Sequence, residues 1–160
     1  MKIDLLLHEL HRDEKDLGHE LLRISERHKV DHEIYHLGRD LARWSQNHVR
    51  ELATLAERFG THLDPEPVDE LKTTERLREK AGELVGRRPQ SALLLLRDLR
   101  EVYIKASGVS VDWEMLGQAA QGLKDMDLLA VVQRCHPDTL RQLRWANGKL
   151  KESSTQILIS

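Results

Sequence analysis

Residues 3–60 decide the fold. They read IDLLLHELHRDEKDLGHELLRISERHKV over 3–30 and DHEIYHLGRDLARWSQNHVRELATLAERFG over 31–60. In the first half Ile3, Leu7, Leu10, Glu14, Leu17, Leu21, Ile24 and His28 follow one another at steps of four and three, which puts them on one stripe of a helix. A short break at Lys29 and Val30 leads to Asp31, an N-cap residue type, with His32 and Glu33 opening the next helix. Its stripe is Ile34, Leu37, Leu41, Trp44, His48, Leu52, Leu55 and Phe59, and Gly60 is placed to close it. At 1.5 Å per residue each helix is about 40 Å long. The connection is too short for anything but an antiparallel hairpin.

Beyond the hairpin, Pro65 and Pro67 mark a loop. A polar helix is expected over 68–85, broken by Arg87-Arg88-Pro89, and a shorter one over 92–106, capped by Ser91 and ended by Gly108. Leu93 to Leu96 cover every side of that second helix, so it is buried all round or forms a subunit contact. Ser110 can cap a helix over 111–135 with Trp113, Leu116, Ala120, Leu123 and Ala130 inward. Pro137 suits the first turn of a last helix, whose stripe is Leu140, Leu143, Asn147, Leu150, Ser154 and Ile157. The expected fold is all-α: one domain over 1–160, with a helical hairpin over 1–60, a crossover carrying two shorter helices over 61–110, and a second helix pair over 111–160. A long crossover lets the chain return to the same end of a four-helix bundle.

Two polar residues interrupt the apolar seams. Glu14 precedes the turn by about as many residues as His48 follows it, so the two reach similar heights on facing helices. His11 lies one turn from Glu14, and Glu51 one turn from His48. His11, Glu14, His48 and Glu51 are therefore candidate metal ligands, and carboxylate with imidazole suits iron, manganese or zinc. The same pair also reads as a buried carboxylate satisfied by histidine, fixing helix register. Asn147 is a candidate for the same layer. His28, His32 and His36 gather at the exposed turn end, where a charged His28 is favoured by the helix dipole. His136-Pro137-Asp138 resembles the signature tripeptide of J-domain cochaperones. Those set it after a basic helix, whereas Leu123 to Val132 carries Asp125 and Asp127, and a helix start with Pro in its first turn explains it without a chaperone.

The layout and the Glu14/His48 layer resemble the ferritin-like superfamily, nearest to its small bacterial branches. The stretch from His48 to Gly60 looks like the second helix of those proteins, with a histidine and a glutamate three residues on before an apolar end. Di-iron members use a glutamate from each of two helices and Glu-x-x-His from each of the other two. Here His48 and Glu51 stand in the reverse order, and the last helix offers Glu152 with no Glu-x-x-His. The resemblance thus implies at most a mononuclear or vestigial site.

The remaining composition narrows the function classes. A net charge of −2 over 160 residues gives no general pull toward nucleic acid or anionic membrane. No apolar run nears the roughly 20 residues of a membrane helix. One cysteine, Cys135, cannot form an intramolecular disulfide and fits the cytoplasm. Neither a Gly-rich phosphate loop nor a nucleophile–base pair is present, so no catalytic or cofactor-binding residue is assigned. Three readings follow. One is a ferritin-like bundle acting through binding or assembly, with Leu93 to Leu96 and Trp145 as contacts of a homodimer. The second is a metal-binding or redox protein with a His/Glu core site. The third is a partner-binding module with a groove formed by the crossover helices.

Overall fold

A computed structural model describes residues 2–67, 70–82 and 88–160 of the chain. Helix α1 spans Ile3–Arg27 and α2 spans His32–Glu57. Between them the His28 N–H still bonds to the Ile24 carbonyl, and the Asp31 carboxylate accepts from the Ile34 N–H at 3.1 Å. That cap satisfies a donor which the start of a helix leaves without an intrahelical partner. The α1 stripe from Ile3 to Ile24 is buried throughout, Glu14 included. On α2 a second row of mostly small residues is buried as well: Gly38, Ala42, Ser45, Val49, Ala53 and Ala56. They bring the helices close. A Cβ on Gly38 would stand 3.1 Å from Ser25 Cβ, and one on Gly18 would stand 3.5 Å from Ser45 Cβ.

Helices α4, Arg88–Leu123, and α5, Met126–Ile159, form a second and longer hairpin. By length they reach about 54 Å and about 51 Å. The sequence places the breaks elsewhere. Gly108 does not end a helix, because its missing side chain faces open space and the backbone ladder simply continues. The turn falls at Lys124, which takes the left-handed φ of 55°, and Asp125, which caps Leu128 N–H at 3.0 Å and binds Arg58 at 2.9 Å. Pro137 lies well inside α5, and it is exposed. There the carbonyl it leaves unbonded can turn to water. The expected stop at 87–89 likewise differs, since Arg88 and Pro89 already belong to the first turn of α4 and Arg87 lies outside the described residues. A helix opening tolerates proline.

One shorter helix, α3 (Glu70–Gly82), is described in the crossover, and it packs on α1 through Arg78, whose Nε donates to Glu26 Oε1 at 2.9 Å. Positions 68, 69 and 83–85 of the expected 68–85 helix lie outside the described residues. Among the described residues there are five helices and no strand.

Side-chain pairs give the directions. Along α1 and α2, Glu14 meets His48 and Ser25 meets Gly38. Along α4 and α5, Ser110 meets His136 and Gly117 meets Val132. Glu14–Trp113 and Arg27–Asp98 join α1 to α4; Glu33–Lys149, His48–Asp138 and Arg58–Asp125 join α2 to α5. In every pairing one number rises as the other falls. All four contacts are therefore antiparallel, and α2 and α4 run in the same direction.

Candidate functional site

Glu14 reaches the middle of the core because it occupies an apolar position of the α1 stripe, and it is fully buried. Burial of a lone carboxylate is costly. Two donors offset that cost at a single oxygen: His48 Nδ1 and Trp113 Nε1 each donate to Glu14 Oε1 at 2.8 Å. Trp113 is itself wholly buried, and the rings of His48 and Trp113 meet edge to face at 5.8 Å. On its other side His48 Nε2 donates to Asp138 Oδ2 at 3.1 Å, and Arg141 holds the second oxygen of Asp138 at 3.0 Å. Each of the four long helices contributes one residue to this layer.

The electrostatics follow from that order. Burial by itself would lower the pKa of His48, but the charge and hydrogen bond of Glu14, joined by Asp138, outweigh it and the pKa is raised. His48 is thus favoured as an imidazolium between two carboxylates, with both ring nitrogens donating. Glu14 Oε2 is buried and has no hydrogen-bond partner among the described residues. Glu14 also borders a cavity of about 10 Å³, lined further by Lys15, Gly18, Gln46, Val49 and Pro67. That is room for one water.

Of the four residues that the sequence brings to one site, the structure joins only Glu14 and His48. His11 is buried, but its Nε2 donates to the Asp64 carbonyl at 2.7 Å, tying α1 to the loop after α2. Glu51 faces outward and accepts from Arg134 at 3.1 Å. Asn147 is half-buried and takes no part. Its expected stripe is off by one position, because the buried face of α5 carries Cys135, Thr139, Gln142, Ala146 and Lys149. Gln142 donates to the Leu41 carbonyl and to Ser45, and Lys149 covers apolar surface with its stem while its ammonium reaches Glu33. Among the described residues no group of three or more His, Cys, Asp or Glu side chains has the arrangement of a metal site.

The other candidates resolve separately. His28 is not at a solvated end: its Nε2 bonds Asp98 at 2.8 Å beside Arg27, and Asp98 is buried. His32 and His36 are exposed and stacked at 6.4 Å. The His-Pro-Asp tripeptide sits inside α5, where His136 holds Ser110 at 2.9 Å and Asp138 holds His48. Cys135 is buried, which pushes its thiol pKa up and leaves it a weak nucleophile. Leu93 is exposed while Leu94 to Leu96 are half-buried, and Trp145 is partly buried against the core.

Sequence reasoning missed Trp113 and Asp138 as members of the layer. Trp113 carried a signal, an indole N–H expected inward and in need of an acceptor. Asp138 carried none, because Pro137 beside it suggested the opening turn of a helix. No described helix is long and apolar enough to cross a membrane. Compared with known proteins, the chain matches no family model, no curated protein and no solved structure.

Proposed function

We propose that this protein is a ferritin-like four-helix bundle acting through binding or assembly, and that its Glu14–His48–Trp113–Asp138 layer is a structural clamp. The observation that carries the reading is the engagement of His48. Both of its ring nitrogens are bonded to protein carboxylates, which leaves no lone pair for a ligand. The parallel course of α2 and α4, with a crossover between them, supports the ferritin-like topology. The single buried cysteine suits a cytoplasmic setting.

A metal-binding or redox reading draws on one specific feature, the buried and unpartnered Glu14 Oε2. A cation there would be held by Glu14 and by His48 in neutral form, with iron, manganese or zinc suited to such ligands. The deciding experiment is elemental analysis of untagged protein beside a folded Glu14→Gln, His48→Gln double variant. The clamp reading expects no metal near one equivalent in either sample, and a lower unfolding midpoint in the variant. Iron, manganese or zinc near one per chain, lost in the folded variant, overturns it.

A further inference from the structure

One stretch of the first hairpin takes no part in the core layer. It is His32-Glu33-Ile34-Tyr35-His36, the opening of α2. The order His-Glu-x-x-His on a helix sets two imidazoles four residues apart on one face, the arrangement that holds zinc. Both histidines are exposed, and their rings stack at 6.4 Å with the planes 13° apart. Neither ring is hydrogen-bonded to the protein among the described residues. His11, His28, His48 and His136 are by contrast committed to protein partners, as is His62 to Glu57.

We infer that His32 and His36 form a two-histidine chelate for a divalent transition metal of the zinc class, with water in the remaining coordination positions. Neutral imidazole is a good ligand for such ions, and zinc takes its nitrogen at about 2.0–2.1 Å. The pair is largely built in advance. Asp31 caps the first turn of α2. The Tyr35 ring, covered by the Arg39 guanidinium at 5.4 Å, meets His36 edge to face at 5.0 Å. Imidazoles already held side by side lose little freedom on closing round an ion. The positive end of a helix opposes a cation, and the carboxylates of Asp31 and Glu33 at that same end offset the opposition.

The chelate stops short of a hydrolytic centre. In the metalloprotease motif the glutamate is the general base, but Glu33 here accepts from Lys149 Nζ of α5 at 2.5 Å. No third His, Cys, Asp or Glu joins the pair among the described residues. With half the ligands of a closed zinc site the affinity should be modest, a Kd on the order of 10 µM. Metal held so loosely is lost on dialysis, so the pair adds nothing to the elemental analysis that tests the clamp. The inference does not draw on the clamp, and His36 stands about 18 Å along α2 from His48.

The test is calorimetric titration of the untagged, chelator-treated full chain with zinc chloride, the histidine ring signals being followed by NMR. About one zinc per chain is expected, with the His32 and His36 signals moving together. His32→Ala or His36→Ala should each weaken binding at least tenfold. Both positions are exposed, so circular dichroism should stay that of the wild type. The Glu14→Gln, His48→Gln variant should bind zinc as the wild type does. No binding up to about 500 µM zinc overturns the inference, and so does unsaturable uptake of several ions per chain. Binding at one site that survives both alanine substitutions overturns it as well. If the core double variant alone abolishes that binding, the metal-binding reading of Glu14 and His48 gains instead, so the two accounts fail separately.

Discussion

Trp113 donates its indole hydrogen to Glu14 across 99 positions of sequence, at 2.8 Å, onto the same oxygen that His48 uses. The helix pair 1–60 therefore depends on α4 to satisfy its buried charge. Trp113→Phe keeps most of the packing and removes that donor. Urea unfolding should show a loss of about 1–3 kcal/mol, the cost of leaving a buried acceptor short of a partner.

His48 and Glu14 should behave as a unit. His48→Ala strands Glu14 in the core and is expected to cost about 3–5 kcal/mol. Replacing both with leucine removes the charge and its partner together, so the double variant should lose much less than the sum of the single losses. A double-mutant cycle by chemical denaturation measures the coupling, and additive losses would mean that the pair contributes nothing jointly.

The raised pKa of His48 has a defined sign. A histidine whose folded pKa exceeds its unfolded value of about 6.5 lends stability fully below that pH and loses it as pH rises through the folded pKa. Unfolding free energy should decline above pH about 6.5, and His48→Gln should flatten that part of the profile. A parallel decline in the variant would assign the slope to other groups.

Asp112 works the opposite way. Burial first, and then the charge of Asp13, lift its pKa to about 6. The folded chain thus binds a proton more tightly than the unfolded chain, so this residue makes stability fall as pH rises from about 4 to about 6. Asp112→Asn should stabilise the dilute protein at pH 7 by about 1 kcal/mol once solvent screening is allowed for.

Two glycines of the first hairpin should respond differently. At Gly38 a Cβ would press on Ser25 Cβ at 3.1 Å and on the Leu21 carbonyl at 3.2 Å, neither of which can swing aside. Gly38→Ala should lower the thermal midpoint, because overpacking of about 1–3 kcal/mol exceeds the helix-propensity gain of about 1 kcal/mol. Gly18→Ala meets Ser45 at an ordinary 3.5 Å and should be neutral or stabilising.

The first hairpin was legible because nearly every position of its two stripes obeys one period, and because Asp31 is a strong cap at a short break. The second half was not. Its glycines and prolines are misleading punctuation: Gly108 and Pro137 lie on exposed helix faces where they break nothing, whereas the real turn is made by Lys124 and Asp125. The seam of α5 was misread by one position because its buried face carries Thr139, Gln142 and Lys149, the last two bonded to Leu41, Ser45 and Glu33 of α2, contacts that cannot be found locally. The Glu14/His48 contact followed from the symmetry of the turn. The places of His11 and Glu51 did not, since they depend on Asp64 and Arg134.

The central claim is that His48 is a clamp with both nitrogens committed, and nitrogen-15 NMR of its imidazole tests this most directly. At pH about 6.5 the account predicts a ring with two protonated nitrogens, each in a slowly exchanging hydrogen bond. A neutral ring with one bare nitrogen would contradict it, and would return that nitrogen to the search for a ligand.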